Sequence, residues 1–299
     1  MAPRRIVSLV PSATEIAFAL GLGEQIVGVT FECDEPVHAR HGRQIVVGGL
    51  DTHGLTPDAI DALVRSRLEA GEQLYDLSLD ALRRCEPDLI LTQDLCRVCA
   101  LPSGDVDAAV AHLGCTAHVV TLDPHDLDGV LDSIVAVGRA AGAQQRAEDL
   151  VASLRKRLDR VAALVEGRPR PRVFVLEWTD PPFAAGHWVP ELVRAAGGEA
   201  VLAHAGGRSA PTTWDAVAAA EPEVILVAPC GFDLNGASEQ ALAVADHLPI
   251  GVPVWALDAN GVVVRPGPRL VDGVETIAGI LHPGAAWPSD PDLTAARRL

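Results

Sequence analysis

The sequence predicts an α/β protein of two doubly wound, Rossmann-like lobes joined by a long helix, with a ligand cleft between the lobes. Short apolar runs alternate with amphipathic stretches in both halves of the 299-residue chain, a pattern typical of parallel sheets covered by helices. Residues 124–167 keep helical spacing and contain no strand pattern. The helix-to-strand junctions EPDLIL at 86–91 and EPEVIL at 221–226 resemble one another, which indicates two similar lobes.

The first lobe is assigned to residues 1–124 and opens with a strand over residues 6–10. Ser12 is expected to cap the next helix, with Glu15 completing a capping box, and the helix should end at Gly21 or Gly23. Further strands are predicted over residues 26–30, 88–92 and 116–121. An amphipathic segment over residues 56–71 is expected to pack on the lobe or to act as a lid.

The connecting segment is assigned to residues 125–168, as one long helix or two helices in series. Forty helical residues would span roughly 60 Å. The second lobe, residues 169–284, is predicted to contain strands over residues 172–176, 223–227 and 252–257 and helices over residues 189–196, 213–220 and 269–281. The remaining residues, 285–299, are rich in Pro and Ala and are expected to form a loose tail.

Composition and charge limit the classes of molecule that the protein is expected to bind and the compartment in which it is expected to act. The formal net charge of −16 argues against nucleic acid and anionic lipid as partners, because both would repel such a surface. No apolar run is long enough to insert into a membrane. The apolar run at residues 6–10 is too short for a signal peptide, so a cytoplasmic location is expected. The six cysteines are then expected to be thiols or metal ligands rather than disulfides.

Polar and aromatic side chains follow the predicted strands of both lobes. Ligands of open parallel sheets bind beyond the carboxyl ends of the strands, and these loops are expected to face one cleft. The candidate ligand-binding residues are Glu32, Asp34, Gln93, Asp94, Glu177, Trp178, Phe183, His187, Trp188, Phe232 and Arg265.

Several of these candidates admit a second interpretation. His187 could ligate a metal or a corrinoid cobalt, or make local hydrogen bonds at a helix entry. Trp178 and Trp188 could stack on a flat ligand or pack between structural elements. Arg265 could pair with an anionic group of a ligand or be solvated.

Cysteines form a second group of candidates. Cys96 and Cys99 form a C-x-x-C pair, and Cys33 and Cys230 follow other strands. Three or four thiolates would favour zinc or an iron–sulfur cluster, because soft ligands select these centres. The alternatives are a redox-active thiol pair and cysteines that merely fill gaps in loops.

Several motifs resemble those of the class III (helical-backbone) periplasmic binding proteins, in the branch that serves vitamin B12 and iron-siderophore importers. They are RIVSLVPSATE at 5–15, EPDLI at 86–90, DPPFAAG at 180–186, AGGE at 196–199 and RPGPRL at 265–270. The resemblance spans residues 5 to about 283 and implies a rigid connecting helix and a ligand held between the lobes. Where the vitamin B12 binders clamp a corrinoid with aromatic side chains, this chain has Glu35, Gln93, Asp94 and the pair Asn260 and Gly261.

Two functions are therefore expected. The first is a solute-binding protein, rather than an enzyme, for a cobalamin-like corrinoid or a metal chelate, with an ABC-importer component as partner. The alternative is a cytoplasmic metal or iron–sulfur protein, an enzyme or a metallochaperone, with a cysteine site in the cleft.

Overall fold

The computed structural model describes residues 5–52, 54–94, 103–285 and 293–299. The chain separates into two compact units, one of residues 1–124 and 128–152 and the other of residues 125–127 and 153–299. Each unit contains a mainly parallel sheet whose strands alternate with helices, so the predicted α/β, doubly wound class is confirmed. Among the described residues, no helix combines the length and apolar character that a membrane span requires.

The first unit has a six-stranded sheet in the order β4-β3-β2-β1-β5-β6. Its strands are β1 (Ile6–Ser8), β2 (Ile26–Thr30), β3 (Gln44–Gly49), β4 (Tyr75–Leu77), β5 (Leu89–Gln93) and β6 (His118–Leu122). All pairings are parallel except that of β3 with β4. The carboxyl ends of β1, β2 and β5 therefore share one edge of this sheet.

Helices α1 (Pro11–Ala19), α2 (Pro57–Glu69), α3 (Leu79–Cys85) and α4 (Ser103–Leu113) follow strands of the first sheet. The expected capping box of Ser12 and Glu15 does not form. Helix α1 begins two residues earlier than expected, at Pro11, and Val10 occupies the cap position without a side-chain hydrogen bond. Proline is favoured in the first helical turn because it has no N–H to satisfy. Ser12 is consequently a buried residue inside the first turn.

The connecting segment consists of two helices in series, α5 (Leu127–Ala140) and α6 (Gln144–Val165), and not of one continuous helix. The break coincides with Gly142, whose φ of +70° lies in the left-handed region that commonly ends a helix. At 1.5 Å per residue, the 22 residues of α6 extend about 33 Å.

The second unit has a sheet in the order β12-β8-β7-β13-β14-β15, with β10 also pairing with β7. Its strands are β7 (Arg172–Thr179), β8 (Pro182–Ala184), β10 (Glu199–Ala200), β12 (Ala210–Pro211), β13 (Val224–Val227), β14 (Val254–Leu257) and β15 (Ala296–Arg298), while β9 (Gly186–His187) and β11 (His204–Ala205) form a small separate sheet. Strands β7, β13 and β14 are parallel and bring their carboxyl ends together. Strand β15 pairs with β14 in antiparallel fashion, so this part of the expected loose tail belongs to the sheet.

Five helices accompany the second sheet: α7 (Val189–Ala195), α8 (Trp214–Ala219), α9 (Leu234–Ala243), α10 (Ala259–Val262) and α11 (Leu270–Leu281). Phe174, Leu176, Ile225 and Val227 are fully buried in the core beneath them. Burial of such side chains stabilises the fold by about 1.5–3 kcal/mol each. Helix α11 is buried along most of its length, which fits its strongly apolar sequence.

Candidate functional site

The carboxyl edge of the first sheet carries several buried polar side chains, and we call this group the polar edge (Ser12, Thr14, Thr30, Cys33, Thr92 and Gln93). Ser12, Thr92 and Gln93 are at most 4% exposed. Ser12 Oγ, Thr92 Oγ1 and Gln93 Oε1 have no hydrogen-bond partner among the described residues. An unsatisfied buried oxygen costs free energy, so each of these atoms is a site where a hydrogen-bond donor would stabilise the protein.

Cys33 belongs to the buried part of the polar edge. Its Sγ lies 3.0 Å from Thr14 Oγ1 and 3.3 Å from Thr30 Oγ1, and the residue is 0% exposed. Thr14 Oγ1 also donates to Ser8 Oγ at 2.9 Å, so the thiol is enclosed by hydroxyl groups. Cys33 is therefore enclosed by hydroxyl groups in this structure, and its role as a metal ligand stays a prediction.

The other cysteines do not complete a metal site within the described chain. Cys96 and Cys99 lie outside the described residues. Cys230 is exposed after β13, while Cys85 is buried and Cys115 half-buried. In the described ranges there is no group of three or more His, Cys, Asp or Glu side chains that could hold a metal ion. Nothing in the described chain supports the expected zinc or iron–sulfur centre.

The predicted acidic and amide candidates of the first unit occupy different environments. Gln93 ends β5 and is buried, whereas Asp94, the next residue, is exposed. Glu32 is half-buried, and its backbone N–H donates to Thr30 Oγ1 at 3.1 Å. Asp34 is exposed. All four follow the carboxyl ends of β2 or β5, as the sequence indicates, but Gln93 alone forms part of the polar edge.

The carboxyl edge of the second sheet carries aromatic side chains, and we call this group the aromatic edge (Trp178, Phe183 and Phe232). Trp178 on β7 pairs directly with Phe183 on β8, which places both side chains on one face. The Trp178 ring lies 5.9 Å from the Phe232 ring, measured between centroids, with a tilt of 53°. All three residues are half-buried. Each ring therefore retains exposed surface that a ligand could cover.

Backbone hydrogen bonds hold the loop that carries Phe232. The N–H of Cys230 donates to the carbonyl of Glu177 at 3.1 Å. Asn260 joins the loop from the other side, because its Oδ1 accepts from Gly231 N at 3.2 Å and its N–H donates to the Phe232 carbonyl at 3.1 Å. The indole N–H of Trp178 donates to the Asp180 carbonyl at 3.0 Å. The rings of the aromatic edge are thus attached to an anchored frame.

Glu177 is a buried carboxyl rather than a ligand-facing one. Its Oε1 accepts from Gly186 N at 3.3 Å, and its Oε2 accepts from the Ser209 hydroxyl. Burial raises the pKa of Glu177 to about 7, although the hydrogen bonds from Ser209 and Gly186 act in the opposite direction. The carboxyl connects β7 to an exposed loop, and these hydrogen bonds do not support the expected ligand contact.

Trp188 and His187 lie at the start of helix α7. Trp188 is 4% exposed, and its indole N–H donates to the Val263 carbonyl at 2.9 Å, which favours the packing interpretation over stacking on a ligand. His187 is half-buried in the small β9–β11 sheet with a φ of +51°, and its ring lies 5.6 Å from that of Trp188. Arg265 is half-buried in the loop before α11.

Two residues of these sites are missing from the predicted ligand-binding candidates. Asn260 follows β14, and the rule that ligands sit beyond carboxyl ends of parallel strands could have identified it. Ser209 lies in a loop 32 residues from Glu177, and no pattern in the neighbouring sequence predicts a role for it. Its role becomes visible only when the two side chains meet.

Comparison with known proteins identifies relatives along nearly the whole chain. The family model described as "Periplasmic binding protein" matches residues 6–256. An uncharacterised ABC transporter substrate-binding lipoprotein of Bacillus subtilis is 26% identical over 94% of this chain and 81% of its own length. A vitamin B12-binding protein of Vibrio cholerae is 25% identical over 93% of this chain and 88% of its own length.

Solved structures share the fold. A periplasmic heme-binding protein from Pseudomonas aeruginosa superposes with a TM-score of 0.74 at 22% identity, covering 99% of this chain and 98% of its own. The periplasmic vitamin B12-binding protein of Vibrio cholerae gives a TM-score of 0.68 at 23% identity, covering 94% and 97%. At these identities the structures establish the fold and not the ligand.

The same relatives overturn the expected cytoplasmic location. They are described as a lipoprotein and as periplasmic proteins, which contradicts a cytoplasmic assignment for a chain of this family. The expectation depended on the short apolar run at residues 6–10, and the start of a given sequence does not decide where a binding protein acts. Without a cytoplasmic location, the argument that a reducing compartment keeps the cysteines as thiols no longer holds.

Proposed function

The chain belongs to the periplasmic binding protein family, and we propose that it binds a cobalamin-like corrinoid and delivers it to an ABC importer. It is a solute-binding protein of the branch that includes vitamin B12-binding and heme-binding proteins. The corrinoid proposal is supported by the vitamin B12-binding relatives, which align over most of this chain. The partner proposal is supported by the substrate-binding lipoprotein of an ABC transporter.

The aromatic edge is the observation that carries the choice of ligand. The half-buried rings of Trp178 and Phe232 lie side by side at the carboxyl ends of β7 and β13. A large, flat macrocycle offers apolar surface that such rings can cover, and one aromatic side chain buries 150–250 Å² in typical contacts. Polar groups around the edge, such as the Asn260 side chain, are of the kind that fix a ligand's orientation.

Frame rigidity also favours this function. The hydrogen bonds of Cys230 N, Gly231 N and Asn260 N hold the β13 and β14 loops to each other and to β7. A binding surface whose side chains are already positioned loses less conformational entropy when the ligand arrives. We therefore expect the aromatic edge to bind without a large rearrangement of these loops.

The test is a titration of the purified protein with cyanocobalamin, followed by calorimetry, for the wild type and the variants Trp178→Ala and Phe232→Ala. We expect one corrinoid per chain. Each variant should bind at least about tenfold more weakly, the loss typical of a central aromatic contact. Phe18→Ala is the matched control, because Phe18 is also half-buried but packs against His38 and Arg43 in the first unit.

A parallel titration with heme separates the ligand classes. Heme binding without cyanocobalamin binding would overturn the corrinoid assignment and leave the solute-binding function intact. Cyanocobalamin binding that Trp178→Ala and Phe232→Ala leave unchanged would show that the aromatic edge is not the binding surface. If neither compound binds, the proposal of a metal-chelating macrocycle as ligand is wrong.

The importer partner has a test of its own. Corrinoid uptake by cells of the source organism that lack this gene should fall, and the wild-type gene should restore it. A Trp178→Ala gene should restore uptake less well at limiting corrinoid. Unchanged uptake in the deletion strain would contradict delivery to an importer.

A further inference from the structure

A second concave site lies at the opposite, amino-terminal edge of the first sheet. Arg5 immediately precedes β1, Ile26 opens β2, Gln44 opens β3, and Arg84 and Cys85 end α3. These residues line a cavity of about 410 Å³, within the range of roughly 300–1,000 Å³ typical of small-molecule sites. The remaining lining residues are Glu24, Val27, His41, Gly42 and Arg43. We call this cavity the arginine pocket.

The arginine pocket concentrates positive charge in an acidic protein. The chain has 24 Lys and Arg residues against 40 Asp and Glu residues, yet three arginines and one glutamate line this cavity. None of the ion pairs between described residues involves Arg5, Arg43 or Arg84. Three arginines against one glutamate give the concavity a net positive formal charge, which attracts anions.

Backbone carbonyls hold two of these guanidinium groups in place. Arg43 donates from Nε to the Ile26 carbonyl at 3.1 Å and from Nη2 to the Gly23 carbonyl at 2.7 Å. Its Nη1 donates to three more carbonyls at 3.1–3.2 Å, so Arg43 contributes charge to the pocket rather than N–H donors for a ligand. Arg5 donates from Nε to the Cys85 carbonyl at 2.5 Å and from Nη2 to the Arg84 carbonyl at 3.5 Å. Carbonyl partners fix the side chains without neutralising their formal charges.

Arg84 completes the site from an exposed position. Its Nη2 donates to Oε1 of Gln44, the first residue of β3, at 3.3 Å. No other hydrogen bond of the Arg84 side chain occurs among the described residues. Burial raises the pKa of the Cys85 thiol, while the charges of Arg5 and Arg84 act in the opposite direction. Both guanidinium groups therefore interact electrostatically with the Cys85 side chain, which lines the pocket.

We propose that the arginine pocket binds a small tetrahedral oxyanion of the phosphate class, free or carried as the phosphate of a small molecule. Guanidinium groups match the geometry of phosphate oxygens and bind them through paired N–H donors. The site lies at the edge of the first sheet opposite to the polar edge, and it does not depend on the corrinoid proposal. Its concave shape fits a small ligand better than a flat macromolecular surface.

The test is calorimetric titration with inorganic phosphate, and separately with glycerol 3-phosphate, in chloride buffer of constant ionic strength. The variants are Arg84→Glu and its matched control Arg83→Glu. Both residues are exposed neighbours on α3 and both changes alter net charge equally, but Arg83 faces Asp80 at 3.5 Å and does not line the pocket. Circular dichroism checks that both variants fold.

We expect saturable binding of at least one of the two probes. Arg84→Glu should weaken it about tenfold or more, and Arg83→Glu should change it less than about twofold. Tighter binding of inorganic phosphate would identify the free anion as the ligand. Tighter binding of glycerol 3-phosphate would identify a phosphate monoester as the ligand. The proposal fails if neither probe binds, if Arg84→Glu binds like wild type, or if both variants lose affinity equally. None of these outcomes bears on cyanocobalamin binding.

Discussion

The Ser209 hydroxyl donates a hydrogen bond to Oε2 of Glu177 and so ties an exposed loop to β7 of the second sheet. The backbone N–H of Gly186 donates to the other carboxyl oxygen at 3.3 Å. Burial raises the pKa of this carboxyl to about 7, so it titrates near neutral pH. The attachment of the loop is therefore linked to the protonation of one buried side chain.

The free energy of unfolding should fall as pH rises because of Glu177. Its pKa is about 7 in the folded protein against 4.5 as the ordinary value, so the folded state binds the proton more tightly. The stabilising contribution is complete below pH 4.5 and is lost as pH rises to about 7. A shift of this size corresponds to roughly 3 kcal/mol. Urea unfolding of wild type and Glu177→Gln between pH 4.5 and 8 measures it.

Glu177→Gln should remove this part of the pH dependence, because the amide has no proton to lose in that range. The difference in unfolding free energy between variant and wild type should therefore grow with pH. Ser209→Ala provides the companion variant, since it removes the hydroxyl donor and should raise the pKa of Glu177 further. Parallel pH profiles for wild type and Glu177→Gln would contradict the link.

Trp188→Phe should destabilise the protein without weakening ligand binding. The change removes the donor to the Val263 carbonyl and leaves that buried acceptor without its partner, at a cost of about 1–3 kcal/mol. Trp178→Ala should show the reverse, a loss of corrinoid affinity with a smaller loss of stability, because Trp178 is half-buried. Denaturation curves and cyanocobalamin titrations of both variants separate the two roles. A loss of cyanocobalamin affinity in a folded Trp188→Phe protein would show that Trp188 contributes to ligand binding.

Arg157→Met should lower the free energy of unfolding by roughly 1–3 kcal/mol. Arg157 on α6 donates to Asp272 at 2.5 Å and to Glu275 at 2.6 Å and 3.0 Å, and so joins α6 to α11. Lys156→Met is the matched control at the preceding, exposed position. Urea denaturation compares the two, and an equal effect of both substitutions would show that the Arg157 ion pairs add nothing specific.

Cys230 should react with a thiol reagent in the native protein, whereas Cys33 should react only after unfolding. Cys230 is exposed, while Cys33 is 0% exposed and lies between Thr14 and Thr30. Cys230→Ser should therefore remove one rapidly reacting thiol, and Cys33→Ser should reduce only the number measured in denaturant. Rapid labelling of Cys33 in the native protein would show that its loop opens to solvent.

Periodicity of apolar residues sufficed to predict most parallel strands of the two main sheets and several helices, because it depends on neighbours within a few positions. Strand β3 and the antiparallel strands β4, β8, β12 and β15 were not predicted. The two helix-to-strand junctions that resemble each other in sequence also resemble each other in structure. Glu86 and Glu221 both have left-handed backbone conformation, with φ of +41° and +44°. Two residues further on, the N–H of Asp88 donates to the Arg5 carbonyl at 2.9 Å, and that of Glu223 to the Arg172 carbonyl at 2.8 Å. Each junction thus starts a strand beside the first strand of its own sheet.

Local sequence patterns suffice for the α/β class, the order of the main elements and the loops in which candidate site residues fall. Which of those side chains are exposed depends on the tertiary structure. It buried Cys33 among hydroxyls, turned Glu177 toward Ser209 and placed Trp188 against Val263. The arginine pocket likewise needs Arg5 to meet Cys85, 80 residues away. A strand pattern specifies which face a side chain occupies, but its partner there comes from a distant segment, which local sequence does not encode.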